Sequence, residues 1–103
     1  MLLLVPVFAM QAAAALPPVQ PRLCLAVGRG LGAWAERNGP SLTPQDRAND
    51  TPLAIMVKEA RWFAAAMRDK FGSYAPDPID QGTAAGMTTD TAIAYARACQ
   101  NGG

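Results

Sequence analysis

The sequence predicts an all-α protein: a small bundle of three or four helices whose first and last members run antiparallel and are linked by one disulfide. Three observations predict it. Apolar residues recur at helical spacing in three segments, prolines and glycines stand where those segments begin and end, and no stretch alternates as a half-buried strand does. The two cysteines, Cys24 and Cys99, fall in the first and last of these segments.

The opening residues, MLLLVPVFAMQAAAALPPVQP, carry no charged side chain, and every charge in the chain follows them. An apolar run closing on small residues fits the core and cleavage zone of a secretory signal peptide. Ala13-Ala14-Ala15 sets the expected cleavage after Ala15, so residues 1–15 are the signal peptide and 16–103 form one small helical domain. No Lys or Arg precedes the run. The alternative is a membrane-tethered accessory protein that keeps residues 1–15 as an anchor. A span needs roughly 20 apolar residues, and here Pro6, Gln11 and Pro17-Pro18 interrupt the run.

The first helix is expected from Pro21, because proline suits the first helical position, to the NGP at Asn38–Pro40. There Gly39 is expected to take a left-handed cap and Pro40 to forbid continuation. At about 100° per residue, Leu23, Val27, Leu31 and Trp34 share a face, with Arg29, Glu36 and Arg37 opposite. Next, SLTPQDRAN carries the cap signature Thr43, Pro44, Asp46, which fits a helix of one or two turns. Thr51 followed by Pro52 opens the longest helix, which runs to Gly72. Its core stripe is expected to be Leu53, Met56, Val57, Ala60, Phe63, Ala64, Met67 and Phe71. The segment from Gly72 to Met87 has no periodicity and reads as a long loop. The last helix starts after Thr88 or Thr89, with Asp90 in the first turn to suit the helix dipole.

Three glycines, Gly28, Gly30 and Gly32, interrupt the first helix. Gly28-Arg29-Gly30-Leu31-Gly32-Ala33 satisfies the dinucleotide pattern G-x-G-x-x-A, and Asp50 stands about twenty residues on. That pattern requires a second strand ending at the acid, and NGPSLTPQDRAN holds no strand candidate. The alternative is close packing. Glycine inside a helix costs about 1 kcal/mol relative to alanine, so a return is expected. With Cys24 set opposite Cys99, Gly28 is expected to face Tyr95–Ala96 and Gly32 to face Ala92.

Nine basic and eight acidic residues in 103 leave a net charge of +1, and the basic residues are scattered from Arg22 to Arg97. This argues against nucleic acid as a partner, which attracts a clustered basic face. The chain has no histidine, so it lacks the commonest general base and the commonest zinc ligand. Ser41 and Ser73 have no such base to activate them, Glu36 and Glu59 lie on polar faces, and Asp77 with Asp80 is too sparse for a calcium loop. No catalytic, cofactor-binding or metal-ligating residue is assigned. Two cysteines in a short chain behind a signal-like segment read as a Cys24–Cys99 disulfide in an oxidising compartment, periplasmic or extracellular.

The expected role is therefore non-catalytic: binding a protein partner or a small apolar ligand. Ile55, Trp62 and Ala66 sit about 180° from the core stripe of the long helix, among Lys58, Glu59 and Asp69. A Trp ringed by charges resembles an interface anchor. The candidate patch is Ile55, Trp62, Ala66 and Tyr74, together with the loop from Tyr74 to Asp80. The competing reading packs this second face against Met87 or the Tyr74 loop. A membrane is a partner only if residues 1–15 stay attached.

Overall fold

The computed structural model describes residues 16–102, and all regular structure among them is helical. The helices are α1 (Pro21–Asn38), α2 (Pro44–Asn49), α3 (Pro52–Phe71), α4 (Pro78–Ala85) and α5 (Thr89–Gly102), with a 3₁₀ turn at Gly39–Ser41 after α1. Among the described residues five α-helices thus stand where three or four were expected. The expected signal peptide, residues 1–15, lies outside the described residues. No described helix is long and apolar enough to cross a membrane.

α1 is the central element and touches α3, α4 and α5. Its sequence explains the position: Leu23 to Gly28 are buried without interruption, as are Leu31 and Ala35, so the helix is covered on more than one side. Pro21 opens it as expected, but its end differs from expectation. Gly39 has φ −55° and is right-handed, and the chain tightens into the 3₁₀ turn instead of reversing. A Cβ on Gly39 would meet only the tip of the exposed, flexible Arg61 side chain of α3.

α3 packs along α1 through Ala54, Val57, Ala60, Phe63, Met67 and Phe71, all buried. The expected stripe holds except at its start. Leu53 is exposed, Met56 and Ala64 are only partly covered, and Ala54 replaces Leu53 as the first buried residue. Thr51 caps α3, its Oγ1 accepting from the Ala54 N–H and donating to Asp46.

The two short helices are held by their own ends. In α2, Thr43 Oγ1 accepts from the Asp46 N–H at 3.1 Å while Asp46 accepts from the Thr43 N–H at 2.8 Å. α4 repeats this device with Asp77 and Asp80, at 2.9 and 3.0 Å. Neither short helix buries a residue. α4 corrects the expectation of an irregular segment from Gly72 to Met87.

The glycine expectation is half corrected. Gly28 and Gly32 do mark close approach, but to α3 and not to α5. A Cβ on Gly28 would lie 2.5 Å from Met67 Cβ, and one on Gly32 would lie 3.3 Å from Ala64 Cβ. Gly30 meets nothing within 4 Å. All three sit inside α1, so none forms the strand-to-helix turn that a phosphate cradle needs.

α5 completes the core with Ala92, Ile93, Tyr95, Ala96 and Cys99. Cys24 and Cys99 are fully buried and meet at disulfide distance, Sγ to Sγ 2.10 Å, with Cα atoms 6.1 Å apart. Beside them the buried Tyr95 hydroxyl donates to the Pro18 carbonyl at 2.8 Å and accepts from the Gln20 N–H at 3.1 Å. This ties the extended stretch before α1 to the last helix. Lys70 Nζ donates to the Cys99 and Gln100 carbonyls, both at 3.2 Å, at the C-terminal end of α5, where a cation is favoured.

Candidate functional site

The outer face of α3 follows from its position. One flank packs on α1 and the adjoining flank carries the link to α5, which leaves the residues about 180° from the α1 contact facing water. Trp62 is 57% exposed and Ile55 44%, two turns apart, or about 10 Å along the axis. Trp62 is held by one edge: its ring meets Phe63 at 4.9 Å between centroids with planes at 90°. Ala66, one turn further on, is partly buried and packs against the core. The second-packed-face reading does not describe Trp62. Met87 instead lines a hollow between α1, α4 and α5.

Tyr74 does not join this face. It lies beyond the C-terminal end of α3, 44% exposed, its ring 6.3 Å from that of Phe71. It lines a separate hollow of about 280 Å³ with Gln20, Pro21 and Arg22. Ile55 and Trp62 are thus exposed along one line of α3, Ala66 packs toward the core, and Tyr74 lies beyond the far end of the helix.

Beside Ile55 runs a groove of about 410 Å³ between α3 and α5. Met56 and Ile93 give it an apolar floor, and Glu59, Asp90 and Arg97 a charged rim. Arg97 Nη2 donates to Glu59 Oε2 at 3.0 Å, and its guanidinium lies 5.6 Å from the Phe63 ring centroid. Phe63 thus meets Trp62 in a T-shaped pair on α3 and Arg97 of α5 over its ring. The α5 members of this groove were absent from the sequence-based patch. Their spacing, Ile93 and Arg97 one turn apart, marks a shared face but does not name the helix it meets.

The displaced ionisations belong to structural groups elsewhere. Asp46 is held below the usual carboxylate range chiefly by the Thr43 backbone N–H, then by the Thr43 hydroxyl. Asp77 is lowered likewise, first by the Asp80 backbone N–H. Burial pushes the Tyr95 hydroxyl up. At the α3 face Lys58 pairs with Asp50 at 3.0 Å, both side chains exposed. Among the described residues no three His, Cys, Asp or Glu side chains gather as metal ligands do. The chemistry on offer is contact: an aromatic ring, an aliphatic side chain and a charged rim.

Comparison with known proteins returns no matching family model, no matching curated protein and no matching solved structure.

Proposed function

We propose that this chain is a small exported helical protein that acts by binding a protein partner, and that the partner docks on the Ile55–Trp62 face of α3. The observation that carries this reading is Trp62. It is a large aromatic left 57% exposed on a helix that otherwise buries its aromatics, beside an apolar-floored groove with a charged rim. Export is supported by the buried cysteine pair at disulfide distance, which is compatible with an oxidising compartment outside the cytoplasm. The apolar opening of the sequence supports it too, read as a signal peptide removed after Ala15. We also read α1 and α5 as an antiparallel pair. Cys24 meets Cys99, while Leu31 and Trp34 share a hollow with Thr89 and Ala92 from the other end of α5.

A photo-crosslinking residue at position 62, in the full chain made by its own host, tests the reading. The expected result is one adduct of defined mass outside the cytoplasm, abolished by Ile55→Asp and absent when the crosslinker replaces Gln45 on α2. Adducts that form equally from position 45, or none from position 62 in folded protein, overturn it.

A further inference from the structure

Of the three glycines in α1, two are explained by the approach of α3 and one is not. Gly30 is exposed, and a Cβ there would meet no atom within 4 Å. A helical glycine costs about 1 kcal/mol against alanine, and nothing in the fold returns that cost at Gly30. What Gly30 does is keep space open. It floors two adjoining hollows, of about 290 and 300 Å³, which share Gly30, Ala84 and Ala85 and run between α1 and α4. α4 lies over α1 with Ala84 packed on the core and no residue fully buried, and the two hollows remain between the helices.

The lining is apolar in its middle and polar at both ends, with Arg29 and Gln81 bordering the second hollow and Arg37 and Thr89 the first. Val27, Leu31, Trp34 and Met87 supply the apolar wall, and Arg37 and Thr89 close the first hollow. Gly30 and Arg37 are seven residues apart, which puts them on one face of α1 about 10 Å from each other. Among the described residues the ion pairs are Lys58–Asp50 and Arg97–Glu59, so Arg37 carries no carboxylate partner there. A guanidinium without a carboxylate partner at the end of an apolar trough fits an anionic head with an apolar tail.

We infer that the trough over Gly30 binds an amphipathic carboxylate of the straight-chain fatty acid class, its tail along Gly30 and Trp34 and its carboxylate at Arg37. This site lies on α1 and α4, and it does not depend on the Trp62 face. Together the two hollows fall within the size range of small-molecule sites, about 300–1,000 Å³.

Trp34 is the built-in reporter. In the full chain carrying Trp62→Phe, titration with decanoate below its micelle-forming concentration is followed by the Trp34 emission. The expected result is a saturable shift. Arg37→Gln weakens it about tenfold, the scale of one charge-assisted hydrogen bond, and Gly30→Leu abolishes it. Ala85→Phe, at an exposed position on the opposite wall, abolishes it without touching α1, which covers the case in which Gly30→Leu fails to fold. Decanol titrated in parallel binds more weakly than decanoate. No saturable shift in folded protein, binding unchanged in folded Gly30→Leu and Ala85→Phe, or decanol binding as tightly as decanoate overturns the inference.

Discussion

At the scale of single residues, the glycines of α1 separate two uses of a missing Cβ. Gly28 is required by contact: the Cβ of alanine would fall 2.5 Å from Met67 Cβ, the stem of a fully buried side chain that cannot swing away. Overpacking of this kind costs typically about 1–3 kcal/mol, more than the roughly 1 kcal/mol gained in helix propensity. Gly28→Ala is therefore expected to lower the melting temperature, and Gly30→Ala, with nothing in reach, to raise it by up to about 8 °C. Thermal denaturation of the two variants side by side checks the pair; a rise for both would mean that α1 and α3 are not in close contact. In the sequence the two positions look identical. Periodicity says which residues share a face of a helix, and that was enough to find a packing role. It does not say which neighbour the face meets, so the partner was assigned to α5 when it is α3.

At the scale of elements, the fold contrasts helices that are packed with helices that are capped. α1, α3 and α5 bury apolar stripes, and those stripes were legible because burial leaves a 3.6-residue signature. α2 and α4 have no fully buried residue, Ala84 alone of α4 packing on the core, and both lean on reciprocal hydrogen bonds at their first turns. α2 was legible from Thr43, Pro44 and Asp46. α4 announced itself with the same grammar in Asp77, Pro78 and Asp80, yet its one large apolar residue, Ile79, is 78% exposed, and Gly82 interrupts its interior. Without a stripe the segment read as a loop. The groove between α3 and α5 was hidden for a related reason, since Ile93 and Arg97 enter it only through the tertiary arrangement.

Capped helices are expected to fail locally. Asp77→Ala removes a cap worth about 1 kcal/mol, and hydrogen exchange is expected to quicken in residues 78–85 while α3 keeps its protection. Acid acts in the same sense. Asp46 and Asp77 both ionise below the ordinary aspartate value of 3.8 in the folded chain. Their contribution is fully present above that value and is lost as pH falls through the lower folded values, because the unfolded chain takes up the protons first. Exchange measured while descending past pH 3.8 is expected to show α2 and α4 opening before α3. Uniform loss of protection across all helices would contradict the division.

At the scale of the whole molecule, the cysteine pair spans 75 residues of sequence. A cross-link closing a loop of that length contributes about 4 kcal/mol through the unfolded state, a large share of the stability of a domain this small. Cys24→Ala with Cys99→Ala is expected to lower the melting temperature by well over 10 °C, at roughly 4–8 °C per kcal/mol. Both sulfurs are fully buried, so the native protein is expected to take up no alkylating agent until it is unfolded in reductant. Mass measured before and after that treatment checks the second statement. Ready alkylation of the native protein would mean that the two thiols are unbonded.

The Tyr95 latch has a consequence for timing. Its hydroxyl holds Pro18 across 77 positions of sequence, and the cysteine pair beside it closes over 75. Contacts so remote in sequence form late, since the chain between them must be ordered first. A chain emerging from its N-terminus cannot close either contact until the last helix has been made. The stretch just upstream of α1 therefore stays open until α5 has been made, and the molecule shuts at that seam only then.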